Sequence, residues 1–196
     1  SHLTALLAVH LLQQATAQRT TGEKILYDPR NIWAVEESVK QAGGVPLMNK
    51  AGHAFIKNRM RQENALFAGE LSGHFYFRDF FYADNGLIPF LLFLNIVAAT
   101  KKPVSEIVQT LREKYLVSGE INFEVANKAG VLRTIESKYA DGQIDHTDGV
   151  SISFDDWRLN LRPSNTENLL RLNVEGRSAD LCQQKIAEVS RIVKSA

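Results

Sequence analysis

Two short stretches hold residue types whose spacing could support chemistry. The first is R-P-S-N-T-E-N-L-L-R-L-N, residues 162–173, a polar loop between two alternating strands. Arg162 and Arg171 carry guanidinium forks that match phosphate oxygens, at about 1.5–3 kcal/mol per charge-assisted bond. The loop itself is Arg162, Pro163, Ser164, Asn165 and Thr166, offering hydroxyls, an amide and successive backbone N–H groups. An Asn in a tight turn readily takes the left-handed conformation that forms an anion nest. By composition the loop is an anion socket or a polar hairpin loop. The second stretch is A-G-E-L-S-G-H-F-Y-F, residues 68–77. Glu70, Ser72 and His74 alternate there, so an extended loop points all three side chains the same way. A carboxylate beside a hydroxyl suits a sugar diol, whose hydroxyls both donate and accept. Gly69 and Gly73 would let a ligand approach the backbone, and an imidazole suits proton transfer near neutrality. The plainer reading is a polar strand end with a surface His.

Both stretches need elements to hold them. Val150, Ile152 and Phe154 alternate with polar neighbours, Asp155-Asp156 turn the chain, and Trp157, Leu159 and Leu161 resume the pattern; Leu170, Leu172 and Val174 repeat it. That period puts Arg158, Asn160 and Arg162 on the polar face of one strand, and Arg171, Asn173 and Glu175 on that of its neighbour. The two arginines can then converge at the loop. Upstream, the pattern predicts a buried helix over 3–17, strands at 24–27, 45–48 and 66–68, and helices from Ile32 to Gly43-Gly44 and over 54–62. Strands alternating with helices imply a parallel sheet with ligands at its carboxyl ends. Arg30, His53 and residues 70–74 then share one rim.

The motifs carry a resemblance. R-P-S-N-T-E followed by L-R-L-N-V-E resembles the phosphate-binding loop of the α-D-phosphohexomutases, the phosphomannomutases and phosphoglucomutases. A-G-E-L-S-G-H-F-Y-F is similar to their sugar-binding loop, and M-N-K-A-G-H-A-F-I-K, residues 48–57, to the segment leading into it. The longer phrases look most like bacterial phosphomannomutases. The resemblance implies that Glu70, Ser72 and Gly73 serve the sugar, that His74 transfers a proton, and that Arg162 to Thr166 with Arg171 grip a phosphate. Arg30, in the place of a D-x-[KR] substrate contact, is otherwise a surface charge; His53 is a ligand contact or a helix cap. Asn168 stands where the family usually has Pro, and Leu71 where Met is frequent.

The family's T-x-S-H-N-P-like serine loop and D-G-D-x-D-R-like magnesium loop have no counterpart here. The resemblance therefore implies the carboxyl-terminal part of a longer mutase. That enzyme interconverts hexose 6-phosphate and hexose 1-phosphate through a phosphoserine and a bisphosphate, with Mg2+ held outside this chain and the missing N-terminal domains as partners. Alternatives are a standalone phosphosugar-binding module that never had the other half, or a phosphoglucomutase of the same family.

The expected fold is an α/β three-layer domain with a mainly parallel sheet over 1–114, N-terminally truncated, then a smaller α+β domain with a mainly antiparallel sheet over 115–196. In the second, a helix over 128–140 precedes the strands and one over 178–194 closes the chain. With 44% apolar and 23% charged residues this is an ordinary globular composition, and a net charge of +1 without a basic tract gives no sign of nucleic-acid binding. The apolar run 87–99 contains Pro89 and Asn95 and falls short of a membrane span, so it reads as a buried helix begun by Asp84 or Asn85. The single Cys182 lies on the apolar stripe of the closing helix as an inert core thiol, which fits a reducing cytoplasm. Lys57, Arg59 and Arg61 read as a solvated face or an inter-domain contact, His10 and His146 as structural, and Trp33 and Trp157 as core anchors.

Overall fold

The computed structural model of the chain describes residues 2–164 and 167–195. It divides into two compact units, the first ending at Glu113 and the second beginning at Lys114.

The first unit runs α1 (His2–Ala17), β1 (Lys24–Tyr27), α2 (Trp33–Gln41), β2 (Val45–Met48), α3 (His53–Glu63), β3 (Phe67–Gly69), β4 (Phe75–Phe77), β5 (Ala83–Asp84), α4 (Leu87–Thr100) and α5 (Val104–Lys114). Its sheet has the order β2-β1-β3-β4-β5. The first three strands are parallel, whereas β4 and β5 return antiparallel. Ile25, Leu26 and Tyr27 are all buried, the continuous apolar run that a strand covered on both faces requires. On one face Leu26, Ala68 and Tyr76 pack on Ile56 and Met60 of α3. On the other, α1 comes so close to β3 that a side chain at position 69 would run into Thr4. Helix packing thus explains Gly69, in place of the close ligand approach expected for it.

Helix α4 departs from the sequence expectation of a buried helix. It buries Pro89 and Ile96, but Leu87, Phe90, Leu91 and Leu94 remain exposed. The reason is that an apolar helix is buried only where something covers it, and here α1 lies along one side. Of its two candidate caps, Asn85 does the work: its Oδ1 accepts from Ile88 N–H at 2.8 Å. Among the described residues no single helix is long and apolar enough to cross a membrane; α4 and α5 together have the length and composition but bend by 100°.

The second unit runs β6 (Leu116–Val117), β7 (Ile121–Glu124), α6 (Lys128–Lys138), β8 (Gln143–Asp145), β9 (Val150–Ser153), β10 (Trp157–Pro163), β11 (Leu169–Gly176) and α7 (Ala179–Ser195). The sheet order is β6-β11-β10-β9-β8, with β7 also on β11, and its pairings are antiparallel. Leu159, Leu161, Leu170, Leu172 and Val174 form the core with Val131 and Ile135 of α6 and Cys182, Val189 and Val193 of α7. Asn127 begins α6 by accepting from Gly130 N–H at 2.9 Å. Tryptophans 33 and 157 are both buried, one in each unit. The α/β and antiparallel α+β classes inferred from the sequence are those observed.

Candidate functional site

The first cluster grows from the carboxyl end of β1. Asp28 is buried there, and its two oxygens each accept twice. Oδ1 takes Arg30 N–H and Nε–H at 3.0 and 2.8 Å; Oδ2 takes Arg30 Nη2–H at 2.9 Å and Leu71 N–H at 2.6 Å. Burial alone would raise the Asp28 pKa, but the Arg30 bonds and charge and the Leu71 amide outweigh it and hold it below the ordinary carboxylate value. Arg30 is correspondingly 4% exposed, which overturns its reading as a surface charge. Asp28 therefore fixes a buried guanidinium and anchors a loop 43 residues away.

That loop is a tight turn and not the extended segment expected from the alternation. Gly73 N–H donates to Glu70 O at 3.1 Å and Glu70 N–H to His74 O at 2.9 Å, so β3 and β4 form a hairpin. Gly73 supplies the positive φ of 89° that the turn demands. The consequence is that Glu70, Ser72 and His74 separate. Ser72 and Gly73 stand exposed at the tip. Glu70 turns inward, accepting from Tyr76 Oη–H at 2.6 Å and lying 3.9 Å from Arg30 Nη2. Desolvation, then the Glu70 bond and charge, push the Tyr76 phenol far above its usual pKa, keeping it a donor.

His74 points to a different partner. Its Nδ1 lies 2.9 Å from Asp84 Oδ2, while Asp84 Oδ1 accepts Phe75 N–H at 3.0 Å. Burial acts to raise the Asp84 pKa, but the His74 bond, the Phe75 amide and the two nearby imidazoles lower it overall. An ionised Asp84 makes His74 Nδ1 the donor and leaves Nε2 for chemistry. His53 opens α3 behind an N-cap glycine, Gly52, and sets its ring edge-on to His74 at 4.6 Å and to Tyr76 at 5.3 Å. A continuous line, Arg30–Glu70–Tyr76–His53–His74–Asp84, thus crosses the ends of β1, β3 and β4.

The second cluster lies at the end of the β10–β11 hairpin. Cross-strand register sets Arg158 opposite Glu175, Asn160 opposite Asn173 and Arg162 opposite Arg171. This polar face is buried, with Arg158, Asn160, Asn173 and Glu175 each at most 1% exposed. Arg158 Nη1 binds Glu175 Oε2 at 2.8 Å. Arg162 Nη1 lies 3.7 Å from Asp148 Oδ2, and Arg162 Nε, Asp148 Oδ2 and the Asn173 side chain have no hydrogen-bond partner among the described residues. Buried polar atoms are seldom left so, and a ligand or water is the usual remedy. Arg171 is half-engaged, paired with Glu167 and 3.4 Å from Glu120. Ser164 N–H closes the hairpin on Leu169 O at 2.9 Å, and Pro163 ends β10. Asn165 and Thr166 lie outside the described residues.

Two family profiles match along the chain. Residues 1–115 match the family profile "Phosphoglucomutase/phosphomannomutase, alpha/beta/alpha domain III", and residues 120–192 match "Phosphoglucomutase/phosphomannomutase, C-terminal domain". The chain belongs to the phosphoglucomutase/phosphomannomutase family. It is 44% identical over 189 residues to a protein of Xanthomonas campestris named "Phosphohexose mutases", covering 95% of this chain and 42% of that one. It is 47% identical over 171 residues to the phosphomannomutase of Salmonella typhimurium, covering 86% and 38%. A crystal structure of a phosphoglucomutase/phosphomannomutase family protein from Burkholderia thailandensis superposes with a TM-score of 0.75 at 26% identity, over 96% of this chain and 41% of that one. The chain thus spans about two fifths of the length of the family members it matches.

Three residues of the first cluster escaped sequence reasoning. Asp28 was legible, because two residues before Arg30 at a strand end is the same face. Tyr76 and Asp84 were not, since both depend on the β3–β4–β5 return, whose strands of two or three residues carry too short a pattern to read.

Proposed function

We propose that this chain is the sugar- and phosphate-holding part of a phosphomannomutase-type enzyme that interconverts hexose 6-phosphate and hexose 1-phosphate through a phosphoserine and a bisphosphate. The observation that carries this reading is the line from Arg30 to Asp84, which gathers an arginine, two carboxylates, a phenol and two imidazoles from the end of β1, the start of α3 and the β3–β4–β5 return. Glu70, held by Tyr76 and facing Arg30, accepts from sugar hydroxyls, while Ser72 and the Gly73 backbone at the turn's tip complete that contact. His53 and Arg30 line the same sugar. His74, oriented by Asp84, moves a proton at Nε2 to or from the reacting hydroxyl. Arg162, with its unfilled Nε, and Arg171 grip the non-reacting phosphate together with Pro163, Ser164, Asn165 and Thr166. Positioning of this kind is the main protein contribution to phosphoryl transfer.

The reacting serine and the magnesium belong to the rest of the whole protein, whose domains would cover the exposed Leu87, Phe90, Leu91 and Leu94 of α4. When bound, magnesium neutralises charge on the transferring phosphoryl group. This chain's residues do not suit it: among those described, the one His/Cys/Asp/Glu group compact enough to hold an ion contains two imidazoles, whereas magnesium demands oxygen ligands.

The test is calorimetric titration of the chain with mannose 1-phosphate, glucose 1-phosphate and inorganic phosphate, repeated on Arg162→Ala. Weak hexose phosphate binding that is lost in Arg162→Ala is expected, weak because only part of the cleft is present. Binding unaffected by the substitution would refute the phosphate role, and turnover by the chain alone would refute the division of labour.

A further inference from the structure

His53, His74 and Asp84 form more than a proton relay. Their ligating atoms all lie within 4.8 Å of one another, each residue offering one donor. We infer that they are a binding site for a borderline divalent ion of the zinc class, distinct in chemistry from the magnesium demand of the family.

Two imidazoles and a carboxylate are ligands that zinc, nickel and copper favour, and three protein ligands leave a coordination position open to water or a substrate oxygen. Bonds of about 2.0–2.2 Å in tetrahedral geometry place donors about 3.4 Å apart. The His74 Nδ1 to Asp84 Oδ2 separation of 2.9 Å is a hydrogen bond, so an ion would take the place of the Nδ1 proton, release it to solvent, and let the two donors open to that span. The remaining closure falls to His53, whose side chain is exposed at the start of α3. Asp84 is pre-set for ligation as well, since Phe75 N–H holds its second oxygen and fixes the carboxylate plane. His53 comes from the start of α3, His74 from the turn into β4 and Asp84 from the end of β5, so the site exists only in the folded first unit. A metal here would occupy the imidazoles that the proposed sugar contact uses. In that respect, and only there, the inference rests on the sugar-site reading: zinc and hexose phosphate would exclude each other.

The experiment is calorimetric titration of the full chain with ZnCl2 in a buffer that does not chelate, with CoCl2 absorbance as a second readout. One ion per chain is expected, with affinity at least tenfold weaker in His53→Gln and in Asp84→Asn and unchanged by a hundredfold excess of Mg2+. The His53 and His74 ring resonances should shift with zinc while those of His10 and His146 stay put, which reads the site in the unmutated protein. No binding, a site that persists undiminished in both variants, or ring shifts confined to other histidines would overturn it. Failure of zinc to weaken hexose phosphate binding, with the metal site present, would overturn the mutual exclusion alone.

Discussion

Replacing Asp28 by Asn changes one atom type in a buried carboxylate that accepts four hydrogen bonds. Both carboxylate oxygens accept two N–H groups, so whichever becomes the amide nitrogen faces two donors and loses both bonds. It also takes the Asp28 charge from beside the Arg30 guanidinium, 4% exposed, whose Nη2 lies 3.9 Å from Glu70. Two charge-assisted bonds at about 1.5–3 kcal/mol each, or a broken buried pair at about 3–5 kcal/mol, give the same answer, a loss of about 3–5 kcal/mol. The assay is urea unfolding followed by tryptophan fluorescence, because Trp33 reports the first unit and Trp157 the second. In a Trp157→Phe background the transition should move to much lower urea, while a Trp33→Phe background should barely register Asp28→Asn. The pH sign follows from the lowered Asp28 pKa: its contribution is full above the ordinary value of 3.8 and fades as pH falls from there towards the folded-state pKa. The gap between wild type and Asp28→Asn should therefore narrow in acid. A loss below about 1 kcal/mol, or a gap that widens in acid, would refute the reasoning.

Two further outcomes concern the second unit. The Arg158–Glu175 pair, 1% exposed on both sides, should cost about 3–5 kcal/mol when either Arg158→Met or Glu175→Leu is made singly. The double variant should be more stable than either single one, and additive losses in urea unfolding would contradict this. Burial, and then the neighbouring Glu175 charge, raise the Cys182 thiol pKa. Ellman's reagent should therefore react on the order of a hundredfold more slowly with the native chain than with the unfolded one; comparable rates would show an accessible thiol.

What could be read beforehand follows from the range of the forces involved. Strand alternation in 150–174, the helix stop at Gly43-Gly44 and the apolar stripe carrying Cys182 are local patterns, and the structure keeps them. The fate of Glu70, Ser72 and His74 was misread because alternation assumes an extended chain, while Gly73 bends it into a turn. The burial of Arg30 and the exposure of α4 were likewise beyond local pattern. One depends on a carboxylate within the same strand end, the other on how much of a helix finds a cover.

The buried ladder between β10 and β11 has a consequence for how the chain finds its own alignment. A hairpin can slide by two residues without turning its apolar side outward, so the hydrophobic pattern cannot reject that error. The charges can. Sliding one way would set Arg158 opposite Arg177, and sliding the other would set Glu175 opposite Asp156, where the native pairing sets Arg158 against Glu175. Either mistake puts like charges opposite one another and breaks a buried ion pair. The pair thus acts as a proofreader of strand alignment: by admitting one register it brings Arg162 and Arg171 level at the mouth of the hairpin, several residues from where the checking is done.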